Sequence, residues 1–234
     1  MITVQNLALQ YGKRILFEDV NLKFTQGNCY GVIGANGAGK STFLKILSGE
    51  IPANRGQVSM EPGKRMAVLR QNHQEFNEYT VLDTVIMGHR KMYDIMIEKN
   101  NIYMDRDATE AESLKAADLE AEFGEMGGWT AESDAGEILS NMGIPTELHH
   151  ALMSELRGPD KVKVLLAQAL FGDPDYLLLD EPTNDIDALT ITWLSDFLAD
   201  FKNIVIVVSH DRYFLDMVCT HMVDIDFAKI KMYS

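Results

Sequence analysis

Residues 34–41 form a glycine-rich stretch near the beginning of the chain and read Gly34-Ala35-Asn36-Gly37-Ala38-Gly39-Lys40-Ser41. The stretch satisfies the phosphate-binding pattern G-x-x-x-x-G-K-[ST] at every fixed position. Residues 29–33 before it predict a short buried strand, and residues 42–47 after it predict a helix that ends at Gly49. This order of strand, loop and helix is the one in which the pattern binds phosphate.

The residue types in this loop account for that chemistry. Glycines let the backbone curl so that successive N–H groups point at phosphate oxygens, and the helix N-terminus adds positive potential. Lys40 can reach the β- and γ-phosphates, and the hydroxyl of Ser41 can bind Mg²⁺. A plain glycine-rich turn would need the lysine, the hydroxyl and the flanking strand and helix to coincide by chance.

The composition of the chain limits its size class, its binding partners and the role of its cysteines. The chain has 234 residues, of which 46% are hydrophobic, and this is enough for one large domain with a sizeable core. Its formal net charge of -14 argues against binding nucleic acid by bulk electrostatics. The two cysteines, Cys29 and Cys219, have no metal-ligand spacing and are expected to be buried free thiols.

The sequence predicts neither a signal peptide nor a membrane insertion. Gln5 and Asn6 interrupt the first apolar residues, and no apolar run approaches the ~20 residues that span a bilayer. We therefore expect a soluble, cytoplasmic protein.

The N-terminal residues 2–24 alternate between apolar and polar and predict antiparallel strands joined by a turn at residues 11–14. Tyr11 at that turn could stack on a nucleotide base or be an ordinary half-buried tyrosine. Two further strands are predicted at 56–60 and 65–69, joined by a turn at 61–64. Gln71 follows the second of these strands and could bind the metal or be a polar loop residue.

The middle of the chain is predicted to be helical at residues 80–103, 109–123 and 131–142. A capping box at Thr109 and Glu112 marks the start of the second helix, and Gly124, Gly127 and Gly128 are expected to break it. Residues 107–137 are strongly acidic, whereas the preceding hairpin at 89–106 is less so. If this chain touches RNA, we expect the contact to use four basic residues of that hairpin, namely Arg90, Lys91, Lys99 and Arg106.

The C-terminal third predicts a helix at 160–171, a buried strand at 176–180, a helix at 185–201 and a buried strand at 203–208. The first of these strands ends in Asp180 and is followed by Glu181, and the second leads to His210. Carboxyl ends of parallel strands form the ligand-binding edge of an open α/β sheet. We therefore expect these three side chains on the same edge as the phosphate loop.

Together these features resemble an ATP-binding-cassette (ABC) ATPase domain, and the resemblance covers nearly the whole chain. It implies that residues 34–42 and Tyr11 bind ATP, and that Ser41, Gln71 and Asp180 hold Mg²⁺. It also implies that Glu181 is the general base, that Lys40 and His210 stabilise the γ-phosphate, and that Asp187 is the D-loop aspartate. The loop residues that would contact the nucleotide are Gly34, Ala35, Asn36, Gly37, Ala38, Gly39, Lys40, Ser41 and Thr42.

Within that superfamily the chain looks like the first cassette of an ABC-F protein, a group of soluble twin-cassette ATPases of the translation machinery. The pointers are the stretches 128–132, 180–184, 209–215 and 224–233. The resemblance implies a second cassette as partner, either beyond Ser234 in the same chain or as a second copy, and the ribosome as a further partner.

The chain departs from the family at the signature Leu-Ser-Gly-Gly-Glu/Gln, which falls on residues 156–160. Arg157 replaces the serine, and Pro159 replaces the second glycine and removes one N–H donor. Arg157 could supply a charge to the partner's phosphate instead, or it could obstruct closure.

The expected fold is therefore α/β: a P-loop NTPase with a parallel core sheet, an antiparallel β subdomain and a helical subdomain. The single domain of residues 1–234 would have its core at about 1–71 and 161–234, and its helical subdomain at about 72–160. Two other functions stay open, namely the nucleotide-binding subunit of a membrane transporter and a nucleotide-sensing scaffold with weak hydrolysis.

Overall fold

The computed structural model describes residues 1–69, 72 and 74–234. Its strands are β1 (Ile2–Tyr11), β2 (Arg14–Phe24), β3 (Cys29–Gly34), β4 (Arg55–Met60), β5 (Met66–Val68), β6 (Tyr176–Asp180), β7 (Ile204–Val208), β8 (His221–Asp226) and β9 (Lys229–Tyr233). Its helices are α1 (Lys40–Leu47), α2 (Val81–Ile86), α3 (Arg90–Met104), α4 (Glu110–Glu125), α5 (Ala131–Asn141), α6 (Gly158–Leu170), α7 (Ala188–Asp200) and α8 (Arg212–Val218).

The chain divides into two compact units, one made of Met1–Leu69 with Pro174–Ser234 and the other of Arg70–Asp173. The first unit contains a three-stranded antiparallel sheet, in the order β2-β1-β4, and a six-stranded sheet, in the order β5-β6-β7-β3-β8-β9. All neighbours in the larger sheet are parallel except β8 and β9. The expected α/β fold with an antiparallel β layer is confirmed.

Aromatic side chains join the two sheets of the first unit. Phe17 of β2 lies edge-on to Phe43 of α1, with ring centroids 5.9 Å apart. Phe24 of β2 meets Tyr30 of β3 at 4.8 Å, again edge to face. All four rings are buried in one hydrophobic core, which fixes the antiparallel layer over the strand and helix that flank the phosphate loop.

The predicted strands at 56–60 and 65–69 form, but they belong to different sheets. β4 pairs with β1, whereas β5 pairs with β6. The crossing between sheets is held at Asp175, which binds the Lys64 ammonium at 2.8 Å and accepts from the Arg65 N–H at 2.9 Å. Burial alone would raise the pKa of Asp175, but these two bonds outweigh it and lower the pKa below its usual value.

The second unit is helical, as expected, but two of its helix boundaries differ from the prediction. The helix predicted at 80–103 is two helices, α2 and α3, and the His89 ring caps the start of α3 by accepting from the Met92 N–H at 3.2 Å. Of the three glycines expected to end α4, Gly124 instead lies inside it, against the Trp129 indole, whereas Gly127, with φ 77°, directly follows the C-cap residue Met126. The capping box at Thr109 and Glu112 is present in both directions.

The unit boundaries lie near the expected 71 on one side and beyond the expected 160 on the other, because α6 belongs to the helical unit. The sequence predicts that this helix begins at about residue 160, whereas α6 begins at Gly158, so that Pro159 lies in its first turn. Arg157 is its N-cap residue.

Candidate functional site

Three adjacent parallel strands bring the predicted site residues of the first unit to one sheet edge. β7 lies between β6 and β3, with Asp180 opposite Val208 and Val32 also opposite Val208. The phosphate loop therefore leaves from β3, the two carboxylates from β6, and His210 from β7, all at the carboxyl ends of neighbouring strands. This arrangement is the one the sequence predicts.

The phosphate loop depends on its glycines. Gly34, Gly37 and Gly39 have φ of 150°, 76° and 104°, a region that residues with a Cβ rarely adopt. A Cβ at Gly34 would also lie 2.6 Å from the carbonyl oxygen of Ile225 on β8. Glycine at these positions therefore lets the loop take this tight course without strain.

Lys40 is buried at the first position of α1. Its Nζ donates to the carbonyl oxygens of Gly34 at 2.9 Å and Ala35 at 3.2 Å, so the ammonium sits across the mouth of the loop. The N–H groups of Lys40, Ser41 and Thr42, in the first turn of α1, have no carbonyl partner within the helix. The loop thus presents a cation and several backbone donors to an anion.

Asp180, at the end of β6, has a carboxylate that suits a hydrated metal. Its Oδ1 is fully buried and has no hydrogen-bond partner in the part of the chain that is described. A buried acceptor without a partner is costly, and Mg²⁺ takes oxygen ligands and keeps several of its waters. The residues therefore fit the metal, with the Ser41 hydroxyl on α1 as a second donor. Gln71, the third expected ligand, lies outside the described residues.

Glu181 and His210 are in contact, which the sequence did not predict. Glu181 has φ 51°, in the left-handed region, and its N–H donates to the Val208 carbonyl at 2.8 Å. Its Oε2 accepts from the backbone N–H of His210 at 3.2 Å, and its Oε1 lies 3.3 Å from His210 Nε2. The strained backbone aims the carboxylate away from the strand and towards the imidazole, where it can accept a proton from water.

Tyr11 and Asp187, the other residues predicted to serve the site, lie at a strand end and at a helix start. Tyr11 is exposed at the end of β1, paired with Arg14 across the turn. Asp187 caps α7, accepting from the Thr190 N–H at 2.9 Å. A contact that sequence reasoning missed is that of Arg14, whose Nη2 donates to the Gly37 carbonyl at 2.7 Å and so ties the β1–β2 turn to the phosphate loop.

In the helical unit, Arg157 precedes α6 with its side chain 85% exposed. Its Nε donates to Asp160 Oδ2 at 2.9 Å, within the first turn of the same helix. The guanidinium is thus accessible and held at the helix N-terminus. Of the basic residues expected to meet RNA, Lys99 is buried instead, paired with Glu120 at 3.1 Å, so it is unavailable to phosphates.

The residues described contain no group of three or more His, Cys, Asp or Glu side chains placed to hold a metal ion. Among the same residues, none of the helices has the length and apolarity that a membrane crossing requires.

Residues 17–184 match the family described as ABC transporter. The chain is 60% identical over 233 residues to an uncharacterized ABC transporter ATP-binding protein, YkpA, of Bacillus subtilis, covering all of this chain and 43% of the relative. It is 30% identical over 237 residues to the energy-dependent translational throttle protein EttA of Mycobacterium tuberculosis, covering 99% of this chain and 42% of that protein. The chain thus spans less than half the length of these relatives.

Among solved structures, the fold is similar to a dimeric ATP-binding cassette in a post-hydrolysis state, bound to ADP and Pi. The TM-score is 0.70 at 18% identity, with 100% of this chain and 98% of the other covered. At that identity the likeness concerns the fold alone. The family match over residues 17–184 agrees with the sheet edge that carries the phosphate loop, Asp180, Glu181 and His210. The chain therefore belongs to the ABC transporter family and is an ATP-binding cassette.

Proposed function

We propose that this cassette binds Mg-ATP and hydrolyses it at the edge formed by β3, β6 and β7. The observation that carries the proposal is the buried Oδ1 of Asp180, which has no hydrogen-bond partner among the described residues and lies at the same sheet edge as the phosphate loop. A carboxylate oxygen in that state can bind a cation or accept from a metal-bound water, and a metal nucleotide supplies both.

The residue roles follow from chemistry and placement. Residues 34–42 cradle the phosphates, and Tyr11 stacks on the base. Ser41, Gln71 and Asp180 hold Mg²⁺, which when bound neutralises charge on the β- and γ-phosphates. Glu181, held by His210, takes the proton of the attacking water. Lys40 and His210 stabilise the negative charge that develops on the γ-phosphate.

A second cassette completes the site in this proposal. The curated relatives are more than twice as long as the matched region, and a cassette of the same fold is known as a dimer. The segment 156–160 of each cassette would cover the nucleotide of the other, so that hydrolysis is coupled to closure.

We further propose that the parent protein is of the ABC-F type and acts on the ribosome in the cytoplasm, in translation or antibiotic resistance. The motifs at 128–132, 180–184 and 209–215 support this, as does the similarity to a protein named a translational throttle.

The nucleotide role is tested by Asp180→Asn, which removes the charge and keeps the shape. In the wild type, Mg²⁺ should strengthen ATP binding measured by calorimetry. In Asp180→Asn this gain should shrink about tenfold or more, as losses around a metal site typically do. Asp185→Asn, at an exposed position five residues further on, is the matched control and should keep the full gain. An Asp180→Asn protein with wild-type Mg²⁺ dependence would remove the basis of this assignment.

The ribosome role is tested by co-sedimentation of the parent protein with purified ribosomes in the presence of a non-hydrolysable ATP analogue. We expect nucleotide-dependent binding that weakens with salt. Co-purification with a membrane subunit, and no ribosome binding, would favour the transporter alternative instead.

A further inference from the structure

The order of the strands gives the bound nucleotide a direction. The carboxylates and His210 act on the γ-phosphate from β6 and β7, which lie on one side of β3. β8 lies on the other side, about 5 Å away. A nucleotide whose phosphates follow the loop after β3 therefore has its nucleoside end on the side of β8.

A cleft lies at that place, at the carboxyl end of β8. It is lined by the β1–β2 turn at residues 14–16, the phosphate loop at 35–38 and the β8–β9 turn at 225–228, and has a volume of about 220 Å³. This is smaller than typical small-molecule pockets of roughly 300–1,000 Å³. It would therefore receive one end of a nucleotide and leave the rest on the loop.

The walls of the cleft are tied together. Arg14 holds the phosphate loop through the carbonyl of Gly37. The carbonyl of Ala228 accepts from the Glu18 N–H at 3.0 Å, and Lys229 pairs with Glu18 at 3.3 Å. The β8–β9 turn is thus fixed to the same β hairpin that is fixed to the loop.

Phe227 at the tip of this turn is 92% exposed. It and Ala228 have φ of 44° and 59°, a two-residue turn conformation that glycine, asparagine and aspartate usually provide. A phenylalanine is unfavourable there both for the backbone and for its exposed ring. A ligand that covers the ring would offset part of that cost.

We propose that the nucleoside end of ATP occupies this cleft and that the Phe227 ring contacts the base, as a specificity-determining residue additional to Tyr11. This inference rests on the proposed nucleotide binding and adds to it the place and an aromatic partner of the base.

The test compares Mg-ATP with Mg-tripolyphosphate, which has the phosphates without the nucleoside, by calorimetry. Phe227→Ala should weaken ATP binding about tenfold, because base–aromatic stacking is typically lost to that extent on truncation. Binding of tripolyphosphate should not change. Phe227→Leu keeps the apolar volume and should show the same loss, whereas Phe227→Tyr should retain wild-type affinity for ATP.

Tyr103→Ala, which removes an exposed aromatic of α3 in the helical unit, is the control and should leave both affinities unchanged. Unchanged ATP affinity in Phe227→Ala overturns the inference, and so does an equal loss for both ligands, which would mean that the turn supports the loop only. A wild-type protein that binds tripolyphosphate as tightly as ATP overturns this inference alone. A wild-type protein that binds neither ligand overturns the proposed function with it.

Discussion

At the scale of single residues, Asp180, Glu181 and His210 lie at one sheet edge because each stands at or just after the end of an apolar strand, and these parallel strands end together. The conformation of Glu181 was not predictable. Its positive φ occurs together with a bond from its N–H to Val208 on the neighbouring strand, a tertiary contact that no local pattern records. The same holds for Arg14, whose bond to Gly37 links two turns far apart in sequence.

Glu181→Gln should keep ATP bound and slow its hydrolysis about 10²–10⁴-fold, the usual contribution of a general base. The amide oxygen can still accept from the His210 N–H, so the loop geometry should persist while the proton acceptor is lost. Single-turnover hydrolysis and ATP binding, measured in the parent protein, separate the two effects.

Glu147→Gln makes the same chemical change at an exposed site of the helical unit and should leave both quantities at wild-type values. Wild-type turnover in Glu181→Gln would show that another group is the base.

At the scale of helices and strands, the sequence predicts those features that depend on local periodicity and capping. It does not predict those that depend on contacts with a neighbouring helix or strand. The capping box gave the start of α4 correctly. The chain between α2 and α3 runs so close to α6 that a Cβ at Gly88 would collide with the Gln168 carbonyl oxygen, and β4 and β5 separate because they pair with different strands. Sequence alone shows a glycine or a turn at these places but not what lies opposite.

The lysine–glutamate pairs in the hairpin of α3 and α4 differ in exposure. The Lys99 side chain is only 10% exposed, pairs with Glu120, and lies 4.6 Å from the Phe123 ring centroid and 5.8 Å from that of Trp129. The Lys91 side chain is 66% exposed and pairs with Glu122. The first pair is desolvated and aromatic-lined, whereas water screens the second.

Lys99→Met keeps the length of the side chain and removes its charge, so it should lower the free energy of unfolding by about 2–4 kcal/mol. Lys91→Met, the matched change, should cost less than about 1 kcal/mol. Urea unfolding followed by circular dichroism measures both. Equal losses would mean that the aromatic and ionic contacts of Lys99 add nothing to what its aliphatic stem provides.

At the scale of the whole molecule, the residues proposed to bind ATP and those of the signature segment 156–160 lie in different compact units. The phosphate loop, Asp180, Glu181 and His210 all belong to the first unit. Arg157, held by Asp160 at the start of α6, belongs to the second. In a head-to-tail pair the second unit of one cassette would serve the nucleotide of the other.

The chain by itself should therefore bind Mg-ATP but hydrolyse it slowly, with a rate per molecule that rises with protein concentration as pairs form. Steady-state ATPase assays over a wide concentration range, with the oligomeric state followed by light scattering, measure this. Fast turnover by a verified monomer, independent of concentration, would contradict the need for a second cassette.

In the parent protein, Arg157→Ser with Pro159→Gly should raise the rate of ATP hydrolysis, because the serine hydroxyl and the restored N–H replace a bulky guanidinium that is paired with Asp160. A fall in this rate would show instead that Arg157 acts as a phosphate clamp on the partner's nucleotide.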